Sequence, residues 1–270
     1  MTNSSQSDSA IVAASEEPGA QMTFFEHLVE LRKRIINSLI AIVAGSALGW
    51  FVAPYFIATM TKPMSNALSE NGLDPHLIVT HPAGYLQLLI TTSIYIGIVM
   101  GSPVVLYQIW LFVAPALYKH ERSAIAGFLS STIFLFLSGI AFGYFISLPY
   151  VLRFLVKISI QGPVRPMIDI DQYFDLILLV LLGLGLVFEL PVLIFFLTLF
   201  GIVTPQFLIR NFRYALLVIT ILAAVLTPTP DALTMVLFML VLIALYFVGV
   251  GVSWVVVRNK KKRDLAAEAR

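Results

Sequence analysis

The sequence contains no cysteine, which excludes disulfide bonds, thiol catalysis and lipid attachment through cysteine. Charged residues are scarce as well. Asp, Glu, Lys and Arg make up 12% of the 270 residues, about half the share of a typical soluble domain. Hydrophobic residues make up 59% of the chain instead. This composition predicts a membrane protein rather than a soluble one.

Histidine is missing from the long apolar runs. The four histidines, His27, His76, His81 and His120, all lie outside them. An intramembrane serine protease or metalloprotease would need histidine within those runs. A nucleotide-binding Gly-Lys-Ser/Thr loop is also missing from the sequence. We therefore predict no enzymatic activity, no metal, no cofactor and no nucleic-acid partner.

Six apolar segments predict an all-α membrane protein with six transmembrane helices, because a spanning helix needs about 20 mostly apolar residues. The predicted spans are residues 35–57, 85–113, 123–151, 176–200, 214–227 and 232–257. The polar segments between them are predicted to be loops, the longest at residues 58–84 and 152–175. The fifth span would be only about 21 Å long, which requires a thinner bilayer or neighbouring protein around its ends.

Basic residues orient the predicted bundle. Thirteen of the 17 Lys and Arg residues fall on one side, and only Lys62, Arg153, Lys157 and Arg165 fall on the other. With an even number of spans, this asymmetry predicts that both termini are cytoplasmic. The domain then comprises residues 23–257. Residues 1–22 are predicted to be a disordered cytoplasmic tail without a signal peptide, and residues 258–270 a basic tail against anionic lipid.

Two acidic motifs lie on the predicted cytoplasmic side. Glu30 is one helical turn before Arg34 and can form an ion pair with it, worth about 0.3–0.5 kcal/mol if exposed. Glu121 is the one acid in an otherwise basic loop that contains Lys119 and Arg122. From the local sequence alone, both acids are best explained as locally balanced surface charges.

Two further acids lie in or next to the spans. Glu189 is the sole ionisable residue of residues 176–200, where a charge costs about 2.5–3.5 kcal/mol to insert. Pro191 follows it and predicts a kink in the helix. Asp231 begins the sixth span, where its carboxylate can cap the helix and interact with the helix dipole.

Several motifs in this order resemble the TatC family over about residues 22–255. They are His27-Leu28-x-Glu30-Leu31-Arg32-x-Arg34, Ser102-Pro103-Val104-Val105-Leu106-Tyr107-Gln108, Phe112-x-Ala114-Pro115-Ala116-Leu117-Tyr118-x-x-Glu121, Phe188-Glu189-x-Pro191 and Leu226-Thr227-Pro228-x-Pro230-Asp231. The resemblance implies a receptor and core subunit of the twin-arginine translocase, in the inner membrane and driven by the proton-motive force. It also implies a kinked, concave bundle.

The resemblance further implies roles for individual residues. Glu30 and Glu121 would bind the paired arginines of a signal peptide, since carboxylates accept hydrogen bonds from both prongs of a guanidinium and lysine offers no such fork. The other residues that the resemblance assigns to this site are Phe112, Pro63, Arg32 and Lys119; Phe112 and Pro63 are explained equally well as an interfacial anchor and a loop break.

A second site is implied for partner subunits. Glu189, Pro191 and Asp231 would meet single-span subunits of the TatA and TatB type, in an oligomer surrounded by membrane lipids. The alternative function is a proton-coupled secondary transporter that uses Glu189 and Asp231. Such transporters are usually built from inverted repeats, and no internal repeat is evident in this sequence.

Overall fold

The computed structural model describes residues 24–113, 124–161, 166–227 and 231–268, and nearly all of them are helical. The helices in chain order are α1 Phe24–Met60, α2 Lys62–Glu70, α3 Gly84–Val113, α4 Ala124–Phe142, α5 Leu148–Ser159, α6 Ile170–Val187, α7 Leu190–Leu199, α8 Pro205–Arg210, α9 Phe212–Leu226 and α10 Ala232–Glu268. A π-helical turn, Gly143–Ser147, joins α4 to α5. The all-α class predicted from the sequence is confirmed.

Within the described residues, five helical segments are long and apolar enough to cross a bilayer: His27–Glu70, Gly84–Phe112, Leu129–Ser159, Ile170–Leu199 and Ala232–Asn259. The predicted fifth span corresponds to α9, which has 15 residues. At 1.5 Å per residue it is about 22 Å long, shorter than the roughly 30 Å hydrocarbon core. The prediction of a short fifth helix is therefore confirmed.

Several predicted boundaries are wrong, because helices continue past the apolar runs. The predicted loop at residues 58–84 contains α2, and Pro63 lies in its first turn instead of breaking a loop. The third span continues through α5 to Ser159. The fourth begins at Ile170 rather than at residue 176, since Asp169 caps it by accepting from the backbone N–H groups of Asp171 and Gln172. Most of the predicted basic tail is helical, because α10 continues to Glu268.

Antiparallel packing of α1 on α3 is set by small residues. A Cβ atom at Gly45 would lie 2.8 Å from the carbonyl oxygen of Gly97, and one at Gly49 would lie 2.7 Å from that of Ser93. The two backbones can approach this closely only because these side chains are absent. This contact fixes the register between α1 and α3, and hence which residues meet at their ends.

The remaining helices pack around two apolar clusters. One joins the ends of α1 and α3 to α2, α5 and α6, and there the buried Tyr173 hydroxyl donates to the carbonyl oxygen of Met60 at 2.6 Å. The other joins α5 and α6 to α7, α9 and α10, around buried residues such as Phe238 and Leu242. Large apolar side chains also remain exposed along the helices, for example Phe51 at 75% and Val225 at 67%. Such surfaces are stable in lipid but not in water.

Candidate functional site

The candidate site lies where the first turns of α1 meet the last turns of α3. The His27 and Phe112 rings stack there, with centroids 4.4 Å apart and planes inclined by 17°. His27 is three residues before Glu30 on α1, and Phe112 is four residues after Gln108 on α3. Each ring is therefore about one helical turn from a polar group on its own helix. The α1–α3 register thus brings both motifs to one end of the bundle.

Arg34 connects the two helices at this site. Its Nη2 donates to Glu30 Oε1 at 2.8 Å, and its Nη1 donates to Gln108 Oε1 at 3.3 Å. The predicted ion pair between Glu30 and Arg34 is confirmed. It is also better shielded than the predicted surface pair, since the two side chains are only 16% and 22% exposed. Shielding from water makes such a pair stronger than an exposed one.

Two polar atoms of this pair have no hydrogen-bond partner among the described residues. They are Glu30 Oε2 and Arg34 Nε, and both are buried. Buried polar atoms are nearly always hydrogen-bonded, so an unpaired carboxylate oxygen is unusual. Such an atom is expected where a ligand supplies the missing donor. Among the residues that the structure describes, the site is therefore incomplete.

An apolar groove of about 350 Å³ continues from the ion pair along α1 and α3. Its walls are almost entirely aliphatic or aromatic and include Leu31, Ile35, Leu39, Val105, Ile109 and Phe112. Arg34 and Gln108 also line it, so the polar pair and the apolar groove form one continuous surface. A ligand with a cationic group next to an apolar stretch matches this arrangement.

The other residues predicted for this site are distributed differently. Arg32 is exposed near Glu30. Glu121 and Lys119 lie outside the described residues. Pro63 lies beyond the opposite end of α1, and the helix from Glu30 to Met60 is about 45 Å long. The structure therefore does not bring Pro63 to the Glu30 site.

Glu189 lies at an interruption between α6 and α7. Helix α6 ends at Val187, α7 begins at Leu190, and the N–H of Glu189 donates to the Leu186 carbonyl. The predicted kink is thus a break, since Pro191 cannot donate the backbone hydrogen bond of a continuous helix. The Glu189 side chain is partly buried, and its Oε1 is buried without a partner. Glu189 is the second carboxylate among the described residues, after Glu30, that has a buried oxygen without a hydrogen-bond partner.

Asp231 has the predicted capping geometry. Its Oδ1 accepts from the backbone N–H of Thr234 at 2.7 Å, in the first turn of α10. This places Asp231 at the opposite end of α10 from its basic residues. The prediction of a cap is confirmed, and a cap of this kind contributes about 1 kcal/mol.

Sequence reasoning missed Gln108 and His27 as members of the site. Both are in motifs that carried the resemblance, but neither was assigned a role. A spacing of four residues places Gln108 on the same helical face as Phe112, and this signal was available. Its contact with Arg34 depends on the register of two helices, which the local sequence does not specify.

Comparison with known proteins gives a consistent result. The family profile described as Sec-independent protein translocase protein (TatC) matches residues 26–241. The chain is 43% identical over 257 residues to TatC of Koribacter versatilis, across 95% of this chain and 94% of that protein. It is 35% identical over 247 residues to TatCy of Bacillus subtilis, across 91% and 94%. A crystal structure of the twin arginine translocase receptor TatC is similar with a TM-score of 0.73 and 32% identity, across 86% of this chain and all of that one.

Proposed function

The chain belongs to the TatC family of Sec-independent protein translocase proteins, and from this premise we propose how it recognises a twin-arginine signal peptide. It is a subunit of the twin-arginine translocase, with several membrane-crossing helices. We propose that the peptide binds at the Glu30 end of α1 and α3. The observation that carries this proposal is the buried Oε2 of Glu30, which has no partner among the described residues, next to Arg34, which lines the apolar groove.

A guanidinium group of the peptide would supply the missing donor to Glu30 Oε2. Charge-assisted hydrogen bonds are about twice as strong as neutral ones, and more so where water is excluded. Because Oε1 already accepts from Arg34, Glu30 has one oxygen to offer in this state. One acid can therefore hold one arginine of the pair, and the second arginine needs another acceptor.

We assign the second acceptor to Glu121. Phe112 lies in the site, and Glu121 follows it by nine residues. An extended chain of that length reaches about 30 Å, so the loop is long enough to bring Glu121 to Glu30. Arg32 and Lys119 would lie at the rim of this site. Pro63 would act from the opposite end of α1, by starting α2, rather than by contact with the peptide.

The apolar stretch of the signal peptide would occupy the groove between α1 and α3. Exposed ion pairs contribute only about 0.2–1 kcal/mol each, which is too little for firm binding. Burial of apolar surface contributes about 25 cal/mol per Å², so a few buried side chains add several kcal/mol. The charged end then selects the peptide, and the groove supplies most of the affinity.

We propose a separate role for the break in the fourth span. The unpartnered Oε1 of Glu189 would accept a hydrogen bond from a single-span partner subunit of the TatA or TatB type, beside Pro191. Asp231 would hold the start of α10 near the opposite membrane surface. The complex would lie in the inner membrane with both termini of this chain cytoplasmic, and the proton-motive force would drive export. Family membership disfavours the alternative of a secondary transporter.

Site-specific photo-crosslinking tests the peptide site. A photoreactive residue is placed at position 31, 35 or 109 of the full-length protein, which line the groove and leave both acids in place, and at position 59 at the far end of α1 as the control. We expect a twin-arginine signal peptide to crosslink at the first three positions and not at the fourth. We also expect the crosslinks to disappear when the arginine pair is changed to lysine. Crosslinks of undiminished yield with the lysine peptide would overturn this recognition mechanism.

A further inference from the structure

Arg34 and Glu30 form only half of the contact that these two side chains can make. Arginine and a carboxylate often pair through two parallel N–H···O bonds. Here Nη2 bonds to Oε1, while Nε and Oε2 are both buried and have no partner in the described part of the chain. The two unused atoms are the donor and the acceptor that the second parallel bond would join.

Gln108 is the group that holds the guanidinium in this orientation. Its Oε1 accepts from Arg34 Nη1, the nitrogen that does not contact Glu30. Gln108 is 9% exposed and lies on α3, whose position relative to α1 is fixed by the glycine contacts. The Gln108 amide therefore has a fixed position, and the Arg34 guanidinium is held between Glu30 on α1 and Gln108 on α3.

We propose that Gln108 is a positioning residue for the signal-peptide site. Its hydrogen bond to Arg34 Nη1 holds the guanidinium in an orientation that allows only one bond to Glu30. Glu30 Oε2 therefore remains available to accept a hydrogen bond from an arginine of the incoming peptide. Arg34 is also the counter-ion of the shielded Glu30 carboxylate, because a buried charge without a counter-ion is costly. This inference rests on the proposed function and adds a residue to that site.

Replacement of Gln108 by leucine tests the proposal. Leucine has a similar volume and no acceptor, so Arg34 is released and can form the second bond to Glu30. The peptide must then break that bond before it binds. We expect its affinity to fall about tenfold, which corresponds to about 1.4 kcal/mol.

The decisive variant combines Gln108→Leu with Arg34→Lys. An ammonium group makes a point contact and cannot close on both carboxylate oxygens. In the Arg34→Lys background, Gln108→Leu should therefore change the affinity by less than about twofold. A merely structural role of Gln108 would give the same loss in both backgrounds, so the double-mutant cycle separates the two explanations.

The measurement uses the full-length protein in lipid nanodiscs and a fluorescently labelled twin-arginine signal peptide, with affinity read from fluorescence anisotropy. Gln87→Leu, an exposed glutamine on the other end of α3, is the matched control and should bind as the wild type does. Undiminished binding by Gln108→Leu would overturn the inference, and so would an equal loss in the Arg34→Lys background.

Glu30→Gln separates failure of this inference from failure of the proposed function. If Glu30→Gln abolishes binding while Gln108→Leu has no effect, the peptide site stands and the role of Gln108 is wrong. If Glu30→Gln binds the peptide as tightly as the wild type, the peptide site itself is wrong, and the inference falls with it.

Discussion

The side-chain hydroxyls of Thr198 and Ser253 lie 2.7 Å apart in a buried contact between α7 and α10. The Thr198 hydroxyl also lies 2.9 Å from the carbonyl oxygen of Ile194, to which it can only donate. A hydroxyl has one hydrogen, so Ser253 is the donor to Thr198. The pair therefore joins two helices through a hydrogen bond of defined direction in an apolar region.

We expect Ser253→Ala to destabilise the α7–α10 contact modestly. Interhelical hydrogen bonds in membrane proteins contribute about 0.6 kcal/mol on average. Thr198→Val removes the same bond and also leaves the Ser253 donor unsatisfied, so it should cost more. Reversible unfolding in mixed micelles measures both free energies, and the double variant gives the coupling between them. A coupling of zero would show that the hydroxyl pair contributes nothing.

Gly97→Ala should weaken the α1–α3 contact. A Cβ atom there would lie 2.7 Å from the Cα atom of Ser46, closer than the backbones allow. Such overpacking costs about 1–3 kcal/mol, and the displaced helices would separate Arg34 from Gln108. Thermal unfolding and signal-peptide affinity should both decline. Gly251→Ala is the matched control, since its Cβ atom meets nothing within 4 Å, and an equal loss in that variant would contradict the explanation.

Glu189→Ala should abolish export while leaving the protein in the membrane. The Oε1 atom of Glu189 has no partner among the described residues, so its removal leaves none of their polar groups unsatisfied. Export of a twin-arginine reporter, together with the amount and melting temperature of the variant, tests this. Leu186→Ala, at a side chain that is 70% exposed on the preceding turn, is the control for loss of surface alone. Wild-type export by Glu189→Ala would refute the role of this carboxylate.

A fall in pH should weaken the interaction between residues 78–80 and Asp169, which caps the start of α6. The Thr80 hydroxyl donates to the carboxylate of Asp169, and together with the backbone N–H groups of Asp171 and Gln172 it holds the pKa of Asp169 below its ordinary value. A lowered pKa in the folded state stabilises the fold above the ordinary value of about 3.9, and this contribution is lost as the pH falls through the lower, folded value.

The comparison of wild type with Asp169→Asn measures this effect. The difference in melting temperature should be constant between about pH 7 and pH 5 and should shrink below about pH 4. Thr80→Val removes the main donor and should shift the melting temperature in the same direction as Asp169→Asn. A difference between wild type and Asp169→Asn that persists unchanged to pH 3 would contradict this account.

The apolar runs predicted the order of the long apolar helices, because a backbone inside a bilayer must satisfy its own hydrogen bonds. They did not predict where helices end, since a helix continues past the apolar region while its backbone bonds are intact. Helix α2 was missed although Met64, Ala67 and Leu68 have helical spacing, because the segment around them is polar. Three apolar residues within nine are too few to distinguish a short helix from a loop.

At the candidate site, local spacing sufficed for one contact and not for the other. The Glu30–Arg34 pair follows from a separation of four residues on one helix. The Arg34–Gln108 bond joins residues 74 positions apart, and it exists because Gly45 and Gly97 set the register of α1 and α3. Such a register depends on the packing of both helices together. The sequence therefore predicted the Glu30–Arg34 ion pair but not the Gln108 amide that orients Arg34.

The interruption at residues 188–189 divides the fourth span into two helices, α6 and α7, which pack against different neighbours. Helix α6 packs closely against α4, where a Cβ atom at Gly139 would lie 2.7 Å from the Leu184 carbonyl oxygen. Helix α7 contacts α10 through the Thr198–Ser253 hydrogen bond and through the packing of Ile194 on Gly249. A change in the angle between α4 and α10 must therefore be taken up at Glu189. Rearrangement of the bundle would therefore reposition this carboxylate.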